Sequence, residues 1–345
     1  MRRIFAPIPP LLCVSSICFA ASPGGLDIYF IDVNGGAATL IVTPAREAIL
    51  VDSGSPVQRD ADRILKVVRD VAGLDRIHHL ITTHWHLDHY GAVELLAEQI
   101  EFGKFYDRGI PDESLDDPKN FPTLIAAYRE ASKGDTVTVR AGDRIEVKQP
   151  ADGPKLKIRC VMASGKPVDM QDGKPNAMCD QHKPQADDKG DNGMSLVLLF
   201  SFGDFQFVIP GDLTWNLERD LVCPTNPIGQ VELMQVSHHG LSSSSNPVMV
   251  HALAPRVAVM CNGPTKGGAS EVIEAYLNSP GFDALWQLHL NRKDDQFHER
   301  LKTRTANTKI GSGGEFIKVQ VEPGAEQFKV QIGEQGASAV TYDCW

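Results

Sequence analysis

The sequence predicts an α/β sandwich: two mixed β-sheets packed face to face, with helices outside. Three observations predict it. Apolar, β-prone runs come as hairpins in both halves of the chain. Apolar residues at helical spacing follow the strands of each half. Strands and helices do not alternate one for one, as a doubly wound parallel sheet requires.

Residues 26–33 and 37–43 read as strands joined by the turn pair Gly35-Gly36. Residues 48–51 continue the pattern and end in Asp52-Ser53-Gly54. From 59 to 71, Ala61, Ile64, Leu65, Val68 and Val71 recur at helical spacing. A short buried strand is expected at 79–83 and a helix at about 91–99. Residues 124–131 read as a helix, and 136–139, 145–148 and 155–162 alternate like strands. Residues 164–193 are rich in Lys, Asp, Gly, Pro and Gln, the composition of a long surface loop. The stretch from about 103 to 190 is expected to be an insertion within one domain spanning 21–345.

Strands return at 195–202 and 205–209, with Gly203-Asp204 as a tight hairpin turn. Short strands at 233–236 and 257–261 flank a helix at 247–253, and another helix is expected at 271–277. A C-terminal β-hairpin, 315–321 and 327–332, turns at Pro323-Gly324.

The chain has 345 residues, 42% of them hydrophobic and 23% charged, which fits a soluble globular protein. No apolar run reaches the roughly 18 residues of a membrane span. Arg2 and Arg3, the uncharged apolar stretch to Ala20, and the small residues Cys18 and Ala20 at the −3 and −1 positions read as a signal peptide, residues 1–20. The product is then secreted or periplasmic. Cleavage removes two arginines and no acids, so net charge moves from −10 to −12. Such a surface disfavours non-specific attraction to nucleic acid or anionic membrane, and admits nucleic acid only as a substrate. The remaining cysteines, Cys160, Cys179, Cys223, Cys261 and Cys344, form no C-x-x-C pair, which argues against a zinc knuckle. An oxidising compartment admits one or two disulfides among them.

The strongest chemical signal is Thr82-Thr83-His84-Trp85-His86-Leu87-Asp88-His89-Tyr90-Gly91. Four side chains able to bind metal, His84, His86, Asp88 and His89, follow directly on a buried strand. Imidazole with carboxylate suits zinc, and also manganese or iron. Further on, Pro210-Gly211-Asp212 puts a carboxylate after an apolar strand, and Val236-Ser237-His238-His239-Gly240 puts a histidine pair after another.

These motifs together resemble the metallo-β-lactamase superfamily, whose fold is an αββα sandwich with metals at one edge. The resemblance implies that His84, His86, Asp88 and His89 ligate and that Asp212 bridges two cations. It implies that one of the histidine pair completes the second site, with His238 favoured as ligand and His239 placed beside substrate. Many relatives carry a histidine before the strand leading to the Gly-Asp turn. Here Asp191-Asn192-Gly193-Met194-Ser195 stands there, so Asp191 or Asn192, or His182 in the loop, is the candidate to complete the first site. Asp-Asn-x-x-Ser with Ser-His-His-Gly-Leu-Ser is similar to the ComEC-type branch, here without any channel segment. The secreted phosphorylcholine esterases share the His-His-Gly element.

Two divalent ions, zinc foremost and manganese as the alternative, would acidify a shared water and neutralise charge developing on the substrate. Asp88 is expected both to ligate and to orient that water. The leading expectation is an exported metal-dependent hydrolase of phosphodiester or phosphoester bonds, in a small-molecule or larger substrate. Lactam, lactone or other amide or ester hydrolysis is the alternative. A non-catalytic binding protein with an idle metal site is the third reading, against which the full set of candidate ligands argues. The export reading is checked by N-terminal sequencing of protein from its native host. A mature end at Ala21 is expected; soluble cytoplasmic protein that retains Met1 would refute it.

Overall fold

Alternation and turn chemistry build the first sheet. Leu26–Phe30 pairs antiparallel with Thr39–Val42, which pairs antiparallel with Ala48–Val51. The chain then crosses over through Gln58–Lys66 and Val67–Val71 to Arg76–Ile81, parallel to Ala48–Val51. Glu101–Asp107 and Thr136–Thr138 add further parallel strands. On the other side, Ile317–Val321 pairs with Leu26–Phe30, and Gln327–Ile332 and Val340–Asp343 follow outward. This computed structural model describes residues 24–114, 116–169, 173–309, 314–334 and 339–345. The expected signal peptide lies outside them.

The second sheet begins antiparallel and turns parallel. Leu156–Ala163 pairs with Val197–Phe202, which pairs with Phe205–Ile209 through the two-residue turn expected at Gly203-Asp204. Leu233–Gln235, Val257–Met260, Ala284–His289 and Thr305–Asn307 then stack in parallel. Both sheets are therefore mixed.

Burial shows the layers. Ile28, Phe30, Ile49, Phe200, Phe207 and Val259, all essentially fully buried, fill the space between the sheets. On the far side of the first sheet, Leu40 and Leu80 pack with Ile64 and Val68 of the crossover helix and Tyr128 of helix Phe121–Ala131. On the far side of the second, Val208 and Met234 pack with Leu221 of helix Trp215–Val222, Val250 of helix Pro247–Leu253 and Ile273 of helix Ser270–Leu277. The order helix, sheet, sheet, helix is the αββα sandwich. Among the described residues no helix is long and apolar enough to cross a membrane.

The stretch read as an insertion contributes strands to both sheets, Glu101–Asp107 and Thr136–Thr138 to one and Leu156–Ala163 to the other. Glu101–Asp107 is hard to read because its first half is exposed and carries Gly103 and Lys104. A Cβ at Gly103 would lie 2.4 Å from the carbonyl oxygen of His78, so the close strand contact needs glycine there. The described residues of 164–193 form the expected loop, with only short pieces of regular structure among them. Cys179 and Cys223 form a disulfide that ties it to the end of helix Trp215–Val222, leaving Cys160, Cys261 and Cys344 as thiols.

That helix also buries Glu218 completely. Its carboxylate accepts hydrogen bonds from the backbone amides of Ser245 and Asn246, at 2.9 and 2.6 Å. Burial pushes its pKa from 4.5 up to about 7, against those hydrogen bonds. Because the folded value is raised, the group's contribution to stability is complete below pH 4.5 and is lost as pH rises through 7. The swing is at most roughly 3 kcal/mol, from about 1.4 kcal/mol per unit. Urea midpoints between pH 4.5 and 7.5 should therefore fall more steeply in the native protein than in Glu218→Gln. Identical slopes would show that Glu218 stays ionised throughout.

Candidate metal centre

Parallel strands of both sheets end at one edge, and the candidate residues sit just past those ends. Ala48–Val51 leads to Asp52, Arg76–Ile81 to His84, Phe205–Ile209 to Asp212, and Leu233–Gln235 to His238 and His239. The sheets are stitched together there. Leu196 donates its amide to the Thr83 carbonyl at 3.0 Å, and His238 to the Gly211 carbonyl at 3.1 Å.

Asp212 is the meeting point. Its Oδ2 lies 3.2 Å from His239 Nε2, 3.3 Å from His89 Nε2, 3.6 Å from His238 Nε2 and 3.9 Å from His84 Nε2. Asp88 Oδ2 joins the cluster 3.3 Å from His239 Nε2 and 3.8 Å from His89 Nε2. Among the described residues, two groupings are compact enough to hold an ion: His84, His89 and Asp212, and Asp88, His89 and His239.

Each imidazole turns one nitrogen inward and has the other held from behind. His89 Nδ1 meets Asp52 Oδ2 at 2.8 Å, and Asp52 is fixed in turn by the Thr83 amide and hydroxyl, both at 2.8 Å. His239 Nδ1 meets the Cys261 carbonyl at 3.0 Å, and His84 Nδ1 meets Thr83 Oγ1 at 3.1 Å. His86 Nε2 meets Asp116 Oδ2 at 2.8 Å, so its Nδ1 faces His84 Nε2 at 3.1 Å. His238 Nδ1 lies between the hydroxyls of Ser243 and Ser244, at 3.1 and 3.2 Å. Outer partners of this kind fix the tautomer and the direction of a ligand's lone pair.

The electrostatics match. Burial works against ionisation of Asp212, but the imidazoles of His239, His89 and His238 outweigh it and hold its carboxyl well below the usual range. Burial works against a charge on His89 as well; Asp212, Asp52 and Asp88 outweigh it and raise its pKa well above the usual imidazole value. His84 is pushed well below that value, by burial first and by His89 second, and offers a neutral lone pair.

This donor set fits divalent cations. His89 Nε2 and His239 Nε2 face each other at 3.2 Å, where they can share only one proton. Two nitrogens bound at about 2.0–2.1 Å in tetrahedral geometry lie roughly 3.3 Å apart, which is the spacing found here. His89 belongs to both groupings, yet one nitrogen lone pair serves one cation. Two-ion occupancy therefore needs the Asp212 carboxylate as the shared ligand.

The structure places the remaining candidate residues unequally. His239, rather than His238, sits in the cluster with Asp88 and His89; His238 lies farther from Asp212 and faces the serine turn. Asp191 does not join either grouping. Its carboxylate takes the Arg108 guanidinium and the Trp85 amide. Asn192 Oδ1 is buried with no hydrogen-bond partner, so of that pair it has the free oxygen. His182 hydrogen-bonds Asn246 and lines a separate cavity of about 620 Å³ with Trp215 and Val248. His78 is structural, accepting the Ala48 amide at 3.0 Å. Asp116 and Lys266 were not singled out from the sequence, since neither has a motif around it and Lys266 lies 178 residues from the aspartate it touches; Asp32 and His289 meet at 2.7 Å.

Residues 31–158 match the profile of the metallo-β-lactamase superfamily. That stretch is 128 of the chain's 345 residues, and the likeness is one of profile and fold. Members of the superfamily are mostly metal-dependent hydrolases and bind divalent metals, usually zinc. Similar solved structures include the diiron β-hydroxylase CmlA from Streptomyces venezuelae, 16% identical over 76% of this chain and 53% of that one, TM-score 0.44. The metallo-β-lactamase fold protein YhfI from Bacillus subtilis is 10% identical over 75% and 96%, TM-score 0.44. Zn(2+)-bound PqqB from Methylobacterium extorquens is 12% identical over 75% and 97%, TM-score 0.40. The chain spans about half the length of the CmlA structures. No curated protein sequence matches it.

Which of the two adjacent histidines ligates is directly measurable. Elemental analysis of His239→Ala should find one ion per chain fewer than in the native protein. His238→Ala should keep the native metal content. The opposite pattern would restore His238 as the ligand.

Proposed function

We propose that this chain is an exported hydrolase that uses two divalent cations on phosphodiester bonds. The observation that carries the reading is the convergence of four imidazole nitrogens on Asp212 Oδ2, with Asp88 alongside. In it His84 and His86 hold the first ion, Asp88, His89 and His239 the second, and Asp212 both. When bound, the ions acidify a water and neutralise charge that develops on the substrate.

The chain's own residues do the rest. Asp52, Thr83, Asp116 and the Cys261 carbonyl keep the imidazoles aimed inward. Asp88 would both ligate and orient the water, and Lys266 stands at its carboxylate in this structure. His238, next to the cluster but outside both groupings, is placed to donate to a substrate oxygen.

The phosphodiester preference rests on ligand chemistry. The first site has two imidazoles and the bridging carboxylate, with the oxygen of Asn192 the other candidate. A site with fewer nitrogens is harder and suits manganese and phosphate oxygens better than an all-imidazole site does. The ComEC-like Asp-Asn-x-x-Ser and Ser-His-His-Gly-Leu-Ser elements support the same class. The Cys179–Cys223 disulfide supports export, since such bonds persist in oxidising compartments.

The test is a hydrolysis panel on metal-loaded protein: bis(p-nitrophenyl) phosphate, single-stranded DNA, a cephalosporin and a lactone, each with zinc and with manganese. Phosphodiester cleavage should exceed cephalosporin hydrolysis, manganese should serve at least as well as zinc, and Asp212→Ala should abolish turnover. Efficient cephalosporin turnover with no phosphodiesterase activity under either metal would overturn the proposal.

A further inference from the structure

Among the described residues, Lys266 is the lysine or arginine that pairs with a carboxylate of the cluster. Its Nζ lies 2.5 Å from Asp88 Oδ2, the same oxygen that faces His239 and His89. The lysine is not there by the accident of a long side chain. It comes from the loop Asn262–Gly268, which is locked at both ends. Gly263 donates to the Lys266 carbonyl at 2.9 Å, Gly268 to the His239 carbonyl at 3.2 Å, and Asn262 Nδ2 to the His289 carbonyl at 2.7 Å. A Cβ on Gly267 would fall 1.9 Å from the His239 oxygen, so the loop lies directly on the histidine turn. On its other side Gly35 approaches, where a Cβ would be 3.3 Å from Lys266 Cβ. The backbone around Lys266 is thus fixed, while its side chain is 39% exposed and has four rotatable carbons.

A divalent cation bound through Asp88 Oδ2 takes over the negative charge that Lys266 pairs with. Two positive centres on one oxygen repel, and the ammonium is the one that can move. A shift of a few ångströms leaves it at the rim of the site, unpaired and facing solvent. We propose that Lys266 exchanges its Asp88 contact for an anionic oxygen of the substrate once the second cation is in place, and so selects for substrates that carry an oxyanion next to the bond that is cleaved. The phosphoryl oxyanion is the intended partner, and to that extent the inference rests on the phosphodiesterase reading; a carboxylate offers the same charge from another source.

Two measurements test this without turnover. In the first, lysine labelling by an amine-reactive ester is quantified by mass spectrometry on metal-free and metal-loaded protein. Labelling of Lys266 should rise several-fold on loading, because the ion pair that shields it is gone; no change overturns the proposal. In the second, calorimetry follows binding of inorganic phosphate, with acetate as the carboxylate arm, to zinc-loaded native protein, Lys266→Met and Lys266→Arg. Loss of one charge-assisted contact should weaken phosphate binding about 10- to 100-fold in Lys266→Met and much less in Lys266→Arg, at unchanged metal content. Equal phosphate affinity in all three overturns it. So does loss of metal from Lys266→Met, which would make the lysine a support for Asp88 instead. An effect on acetate that equals or exceeds the effect on phosphate would reassign the selected group to a carboxylate and overturn the phosphoryl assignment. A native protein that binds phosphate through Lys266 yet cleaves no phosphodiester would refute the functional reading alone.

Discussion

A single buried oxygen organises this protein. Asp212 is 2% exposed, and ionised carboxylates are costly to bury unless positive charge or hydrogen-bond donors surround them. Four imidazole nitrogens do so here, and the Ser195 hydroxyl accepts the Asp212 amide at 3.1 Å to set the turn. Burial works against a charge on His89, and the three carboxylates outweigh it and raise its pKa, so a proton on that ring offsets the Asp212 charge. Cations can take over that role without rebuilding the site, because proton and metal compete for the same lone pairs. The geometry is held by bonds on the far side of each ring, not by whatever fills the middle.

That arrangement is possible because the parallel strands of both sheets stop at one edge, so short turns can reach a common point from two layers. The sharpest is Ser237–Gly240, where His238 and His239 both adopt left-handed backbone, φ 49° and 57°. Each such residue costs on the order of 1–3 kcal/mol unless its surroundings enforce it. Here they do. His238 donates to Gly211, Leu241 donates to His238, and Gly268 donates to His239, at 3.1, 2.9 and 3.2 Å. The reversal swings the second ring, not the first, into the cluster, while the first is left against the serines that Glu218 anchors through Ser245 and Asn246.

The same turn explains why part of the site was legible in the sequence and part was not. His84, His86, Asp88 and His89 follow one strand closely enough that local pattern alone brings them together, and Asp212 announces itself by Gly211 after an apolar run. Hairpins such as 197–209 were legible because alternation and turn chemistry are local properties. Choosing between His238 and His239 required the backbone reversal, and adjacency in sequence gives no hint of it. Asp116 and Lys266 reach the site from loops 30 and 178 residues away from the side chains they touch, with no motif around them. Strand Ala284–His289 went unassigned because it is buried throughout and lacks the alternation of a half-exposed strand.

The segment before Val197 shows how a motif can keep its place and change its task. Asp191 stands where a ligand was expected, but Arg108 lies beside it, and a carboxylate already paired with a guanidinium and a backbone amide gains little by leaving. Its own amide donates to Asp116 at 2.8 Å, and Asp116 holds His86. Ser195, four residues on, holds Asp212. The stretch therefore acts as a brace for two candidate ligands, and its one buried side-chain oxygen without a hydrogen bond is that of Asn192. Under the two-metal reading His84, His86 and Asp212 would hold the first ion, and so few protein donors would leave room for water and for substrate, the condition that separates catalytic from structural metal sites.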